Sequence, residues 1–521
     1  MVQNLAPSPF DGQNLASLID LCAGIRGDKI ALIWAPFDSF PQQWTYAELR
    51  KDVRRVAAGL QTRGLGVGDR VIVHSNNDAN FILSWLGCAY AGVVPVTTNT
   101  RSTVEELRYF SDKTGASGVI TQTEFAPLVA EACRDIHWIV LSDRQDSIDG
   151  FQALLGDPNM VAAAPVDPQA AFGIQFTSGT TSRPKAVLWT HANALWGGCV
   201  SAVHEGLRAE DVHLVTMPLF HTNAQVYSVL SSLWVGATIV LQPRFSASRF
   251  WDISVRHGCT WASMIPFCVR ALAAIPVPEK HCYRLWGSGV CEPDSDSYFG
   301  VKTIGWWGMT ETVAHGFVGN ADRPNEPMSI GRVSPFYEVE VRREDGTNVV
   351  ADETGELFIR GRSGMSLFAG YYDDARATKN AYDNRGFFKT GDLVTRHESG
   401  FYAFSDRAKD MLKVGGENVA ASEVEGVIAN VVGVKEVAVV GAPHLMLDEV
   451  PTAFVVVAEA ADELIVRAKI EAACIKTLSA FKRPRAILFV NRIPKGTLEK
   501  VNKAELRTRV MTGMAWQAQS D

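Results

Sequence analysis

A run of hydroxyl-bearing residues and a glycine, Thr177-Ser178-Gly179-Thr180-Thr181-Ser182, stands shortly before Lys185. Phe172, Ile174 and Phe176 read as the end of a strand that leads into it. Backbone N–H groups, hydroxyls and one cation are what a polyphosphate needs as a cradle, although the G-x-x-x-x-G-K-[ST] spacing of a Walker loop is absent. A polar surface loop has the same composition, so this segment by itself leaves both readings open. Four further segments carry comparable chemistry. In Gly305-Trp306-Trp307-Gly308-Met309-Thr310-Glu311-Thr312, Trp307 can stack on a purine and Glu311 can hold a magnesium ion, while a pair of tryptophans is also ordinary core material. Asp392, after Thr390-Gly391, can accept both hydroxyls of a ribose, but Thr-Gly-Asp is a common turn as well. The stretch from Asp406 to Val419 mixes cations with the pair Gly415-Gly416, as a mobile loop or a site would. Lys500 lies near the carboxyl end, where a lysine is ordinarily solvated surface.

Together and in this order, the five segments resemble the adenylate-forming superfamily of acyl- and aryl-CoA synthetases, peptide-synthetase adenylation domains and beetle luciferases. The resemblance covers essentially the whole chain and includes Trp44–Leu49 and Gly370–Tyr382. It implies a large amino-terminal domain of two helix-flanked sheets and a small β-barrel, closed by a small mobile α+β carboxy-terminal domain. It implies ATP, Mg²⁺ and coenzyme A as ligands, with a small carboxylic acid as substrate. By the same resemblance, Thr177 to Lys185 hold phosphates, Gly287-Ser288-Gly289 flank the adenine and Trp307 stacks on it. Glu311, with Thr180, serves the metal. Asp392 takes the ribose with Arg407 beside it, Asp410 is the hinge, and Lys500 meets the acyl carboxylate and the α-phosphate. Thr310 orients phosphate, and Gly415 and Gly416 leave room for the pantetheine arm. The ending Thr497-Leu498-Glu499-Lys500-Val501 is similar to that of carnitine/crotonobetaine-CoA ligase-like members.

The chain departs from the family pattern at several positions. Ser182 and Ala186 replace glycines of the phosphate loop, and Gly305 stands where many relatives carry Asn or Asp to read the adenine amino group. Phe387 replaces Trp, Ala421 replaces Pro, and Glu499 replaces the Gly before the lysine. His221 is expected between the acyl pocket and the thiol channel, with a satisfied core histidine as its other reading. The expected pocket walls are Met264, Ile265, His221, Trp286, Val290 and Trp306, which suit an aryl acid, a short-to-medium apolar acid or a quaternary ammonium. Amino-acid-activating relatives place an aspartate in the segment equivalent to 220–225, where this chain has none, so a carrier-protein thiol remains the alternative acceptor without an amino-acid substrate.

These residues need elements to position them. Apolar stretches such as Lys29–Trp34, Val93–Val96, Ala237–Pro243 and Cys259–Pro266 alternate with helical patterns, one carrying Leu49, Val53, Val56, Ala57 and Leu60. Strands apolar throughout, separated by helices, point to parallel sheets covered on both faces, an α/β fold. From about Ile330 the strands alternate and turns intervene, as in a small barrel or antiparallel sheet, and after residues 406–410 strands and helices follow as a small α+β domain. The expected division is 1–409 and 410–521. The chain has 521 residues, 47% hydrophobic and 21% charged, with 50 basic and 57 acidic residues giving −7. That balance, without a dense basic run, speaks against nucleic acid or an anionic membrane as partner. Nine scattered cysteines without a C-x-x-C pair fit a reducing compartment, and no secretory signal, lipidation motif or membrane-spanning run is read, so a cytoplasmic enzyme, with a homodimer as an open assembly, is expected.

Overall fold

The computed structural model describes every residue outside 1–7, 103, 146, 163, 178–183, 408–410, 415–416, 445–446, 460, 479, 496–500 and 513–521. The all-apolar stretches are buried strands. Arg70–His74, Val94–Thr97, Gly118–Thr121 and Trp138–Leu141 pair in parallel with one another or with Ala171–Thr177. Lys185–Thr190 and Gly370–Tyr371 extend this set antiparallel into a seven-stranded sheet. A nine-stranded sheet has as its parallel centre Lys302–Trp307, Leu285–Ser288, Trp261–Ser263, Val212–Val215, Thr238–Leu241 and Ile30–Trp34. Continuous apolarity follows from burial of both faces.

The helices between these strands are specified locally. Tyr46–Thr62 starts with a capping box, in which the Thr45 hydroxyl accepts from the Glu48 N–H and the Glu48 carboxylate accepts from the Thr45 N–H. Its stripe of Leu49, Val53, Val56, Ala57 and Leu60 is buried, as the spacing predicts. Ala79–Ala91 is buried nearly all round and is stopped by Gly92 at φ 75°, a left-handed conformation that suits glycine. His191–Glu205 repeats the capping box with Thr190 and Asn193.

The chain divides into two compact units. The larger consists of 1–339, 359–388 and 399–402; the second consists of 340–358, 389–398 and 403–521. The alternating strands beyond Ile330 form a four-stranded sheet, Glu338–Arg342, Glu353–Arg360, Phe388–Arg396 and Tyr402–Arg407. The carboxy-terminal part carries a five-stranded sheet centred on the antiparallel pair Val434–His444 and Asp448–Val457, with Ala486–Phe489 parallel to the latter. Ala421–Ala429 and Glu463–Thr477 cover it through Val424, Ile428, Val466 and Ile470. A last helix, Lys503–Met511, is capped by Asn502 and buries Leu506 and Val510 against the other side of the same strands. All nine cysteines are free thiols, and among the described residues no helix is long and apolar enough to cross a membrane.

The core of the larger unit contains a carboxyl group with a predictable effect on stability. Glu205 ends its helix fully buried, and burial pushes its pKa well above the ordinary 4.5, offset only in part by the Ser231 hydroxyl and the Arg284 guanidinium. The folded chain therefore keeps a proton that the unfolded chain releases, so stability falls as pH rises from the unfolded value toward the folded one. Glu205→Gln cannot ionise. Its melting temperature is expected to gain on the wild type progressively as pH rises above the ordinary carboxyl value of 4.5; melting temperatures that stay parallel as pH rises would exclude a buried neutral Glu205.

Candidate active site

The strand Ala171–Thr177 turns back as Lys185–Thr190, with Thr177 opposite Lys185. Ser178, Gly179, Thr180 and Thr181 lie between them, outside the described residues, so the phosphate-loop expectation is seen only at its two ends. Gly370–Tyr371 adds to the outer edge of Lys185–Thr190, with Tyr371 opposite Val187. This pairing puts the Lys185 ammonium 4.7 Å from the centre of the Tyr371 ring, a cation–π contact. The hydroxyl of Tyr371 in turn donates to Glu311 Oε1 at 3.0 Å. A hydrogen bond to a charged group contributes roughly 1.5–3 kcal/mol, so the tyrosine fixes the carboxylate. Burial, with the Glu311 carboxylate beside it, raises the Tyr371 pKa, which keeps the proton on the phenol. Tyr371 did not stand out in the sequence because its role comes from a strand pairing across 184 residue positions, from Val187 to Tyr371.

Thr310 and Glu311 sit in a 3₁₀ turn, Thr310–Thr312, at the end of the strand Lys302–Trp307. The turn is pinned from three sides. Trp189 Nε1 donates to the Thr310 carbonyl at 2.9 Å, the Phe368 N–H donates to the Glu311 carbonyl at 2.9 Å, and the hydroxyls of Thr222 and Thr310 are 3.1 Å apart. It ends on Val313, a buried β-branched residue at φ 64°. Such a backbone costs of order 1–3 kcal/mol and is held only where its surroundings over-determine it. His221 and Thr222 precede Asn223–Leu230, a segment wound as a π-helix, a rare form concentrated at functional sites. His221 is partly exposed with its ring against Phe220.

Strand register sorts the tryptophans. Gly287 pairs with Ile304 and Ser288 with Gly305, so Trp306 shares a face with Gly287, while Trp307 falls on the face of Ser288 and Trp286. A Cβ on Gly287 would lie 1.8 Å from the Trp306 ring, so glycine is required there. Trp306 stacks with His315 at 4.5 Å and with Trp261 at 5.7 Å, which fills the space over Gly287. Trp286 is fully buried among Phe250, Trp251, Tyr283 and Phe299 on the opposite face. It therefore does not share a wall with Trp306, and the expectation that both line one pocket is corrected by the two-residue period of the strand. Met264 is buried, with its N–H on the Gly287 carbonyl at 2.7 Å; Ile265 is exposed and Val290 partly so. Gly289 follows the strand as a bend. Gly305 is also sterically required, because a Cβ would meet the Ser329 carbonyl oxygen at 2.1 Å and the Cys291 nitrogen at 2.8 Å. An Asn or Asp side chain at this position has no room in this chain.

Asp392 and Arg407 belong to the second unit. Asp392 is buried at the centre of Phe388–Arg396, where its N–H donates to the Thr390 hydroxyl at 3.1 Å and Gly391 takes φ 70°. Arg407 ends the strand Tyr402–Arg407. Asp410, Gly415, Gly416 and Lys500 lie outside the described residues. Among the described residues no group of three or more His, Cys, Asp and Glu side chains could hold a metal ion. A magnesium ion fits this arrangement nonetheless, since it is commonly bound by one or two carboxylates with substrate phosphates and waters, and Glu311 is a buried, oriented carboxylate beside a hydroxyl residue.

The family model of AMP-binding enzymes matches residues 21–372, and that of the AMP-binding enzyme C-terminal domain matches 423–500. A crotonobetaine/carnitine–CoA ligase of Salmonella agona is 33% identical over 519 residues, covering 95% of this chain and 99% of that protein. A crystal structure of an anthranilate CoA ligase in complex with anthranoyl-AMP superposes with a TM-score of 0.86 at 25% identity, covering 96% of this chain and 98% of that one. ATP-bound MatB from Rhodopseudomonas palustris superposes with a TM-score of 0.81 at 26% identity, covering 95% and 99%. With both domain models matched in order and relatives aligned over nearly their full length, the chain belongs to the family of AMP-binding enzymes.

Proposed function

We propose that the chain is an ATP-dependent carboxylic acid–CoA ligase that works through an acyl-adenylate. The observation that carries this reading is the buried Glu311 carboxylate, oriented by Tyr371, next to Thr310 in a chain of the AMP-binding family. Relatives named as CoA ligases and a structural neighbour holding an acyl-AMP support it.

In the first half-reaction a carboxylate oxygen attacks the α-phosphorus of ATP, the bond to the β-phosphate oxygen breaks, and pyrophosphate leaves. Two anions approach each other, so orientation and charge neutralisation provide most of the acceleration. Lys500 neutralises the carboxylate and the α-phosphate, and the segment Thr177 to Lys185 cradles the β- and γ-phosphates. Glu311, with Thr180, is the set that would hold magnesium, which when bound offsets phosphate charge. Trp307 and the backbone of Gly287-Ser288-Gly289 flank the adenine. Asp392 accepts the ribose hydroxyls, with Arg407 beside it. In the second half-reaction the CoA thiolate attacks the acyl carbonyl and AMP leaves, the thiol proton going to solvent. The division into 1–409 and 410–521, a hinge at Asp410, a pantetheine path over Gly415 and Gly416, and His221 between acid and thiol complete the proposal.

Trp306 and its stacked neighbours favour a compact acid over a long acyl chain. The walls that remain after removal of Trp286 are Met264, Ile265, Val290, His221 and Trp306. The test is to incubate the chain with ATP, Mg²⁺ and a panel of compact acids, with and without CoA, and to identify products by mass. An acyl-CoA with AMP supports the ligase. An adenylate that CoA never discharges, but a carrier-protein thiol does, would move the acceptor to a carrier protein.

A further inference from the structure

Behind Thr310 lies a chain of buried polar side chains that none of the roles above uses. Thr222 Oγ is 3.1 Å from Thr310 Oγ and 3.0 Å from Gln175 Oε1. Gln175 Nε2 donates to Gln225 Oε1, and Gln225 Nε2 donates to the Leu219 carbonyl at 2.8 Å and to the Thr97 hydroxyl at 3.2 Å. Thr97, Gln175, Thr222 and Gln225 are all buried. Buried polar groups of this kind are held only where they are satisfied, and a satisfied network fixes one arrangement.

The direction of the network follows from its far end. The Leu219 carbonyl can only accept, so Gln225 must turn its nitrogen to it and its oxygen to Gln175. Gln175 must then present its nitrogen to Gln225 and its oxygen to Thr222. Thr222 has a single proton and faces two oxygens. With that proton on Gln175, the Thr310 hydroxyl donates to Thr222. Once the Thr310 proton turns to a ligand oxygen, the Thr222 proton is the one left to bond Thr310. In both states Thr222 holds the Thr310 hydroxyl, and among the described residues it is the hydrogen-bond partner of that hydroxyl. The network also spans three parts of the site: Gln175 stands two residues before Thr177, Thr222 follows His221, and Thr310 precedes Glu311.

We propose that Thr222, braced by Gln175 and Gln225, is a positioning residue that sets the Thr310 hydroxyl for the phosphate of a bound nucleotide. This rests on the adenylate-forming reading of the site. The test uses the full chain as Thr222→Val, Thr222→Ser, Thr310→Val and the Val/Val double variant. ATP affinity in the presence of Mg²⁺ is read by calorimetry, and turnover by acid-dependent ATP–pyrophosphate exchange. Loss of one hydrogen bond predicts that Thr222→Val weakens ATP affinity or exchange by about fivefold while Thr222→Ser stays near wild type. In the Thr310→Val background the same change should cost little more, because the partner it positions is gone. Multiplicative losses in the double variant, or equal impairment by Val and Ser, would overturn the proposal. Absence of exchange in a wild-type chain that binds ATP would count against the ligase reading, and the affinities would still decide the role of Thr222.

Discussion

Lys500→Ala is expected to lower adenylate formation from acid and ATP by about a hundredfold, the scale on which a preorganised charge at a developing anion acts. The same variant should convert a supplied acyl-adenylate to acyl-CoA at close to the wild-type rate. The asymmetry follows from the proposed role: an ammonium placed there would offset the repulsion between carboxylate and α-phosphate, and that repulsion ends when the anhydride exists. Gly416→Trp should behave in the opposite way, releasing pyrophosphate normally while blocking the thioester, because on the proposed pantetheine path an indole would take the space that a glycine leaves free. Both residues lie outside the described part of the structure, so their assignment rests on the family pattern at 493–506 and 406–419. If Lys500→Ala is equally slow with supplied adenylate, Lys500 is not confined to the first step. If Gly416→Trp makes thioester freely, the thiol reaches the adenylate by another path.

Glu311→Gln is expected to slow adenylation by at least about tenfold, or 1.4 kcal/mol of barrier, with partial recovery as magnesium is raised. An amide is a poorer ligand for a hard cation than a carboxylate. The substitution also replaces the charged acceptor of the Tyr371 hydroxyl by a neutral one at a buried site. Tyr371→Phe separates the two contributions: it keeps the carboxylate and removes only the group that orients it, so its smaller loss should not be relieved by magnesium. Unchanged activity of Glu311→Gln at limiting magnesium would remove Glu311 from the metal.

Much of the framework was legible because burial of both strand faces leaves a continuous apolar signature, as in Arg70–His74, Val94–Thr97 and Thr238–Leu241. The helix Tyr46–Thr62 was legible from its stripe, and the Thr45/Glu48 capping box that starts it emerged with the structure. The chemistry-bearing segments were legible as residue types, but their mutual placement was not. Tyr371 reaches Glu311 only because a two-residue strand adds to an edge formed far earlier in the chain. Trp286 was misplaced for a reason that alternation could have supplied: it stands one position from Gly287, so the two face opposite sides of the sheet. Gln175 did leave a signal, a glutamine inside the apolar stretch 171–176, where a polar side chain needs a partner, whereas Gln225 follows the polar residues His221, Thr222 and Asn223 and did not stand out. The helix Lys503–Met511 went unread because its exposed face is dense with charge and only Leu506 and Val510 are buried.

The central claim, acyl-adenylate formation, is tested most directly by exchange of labelled pyrophosphate into ATP with no thiol present. Exchange that appears only when a carboxylic acid is added, and needs no CoA, is the predicted result. Exchange that requires CoA, or hydrolysis of ATP to ADP and phosphate without any exchange across a panel of compact acids, would contradict it.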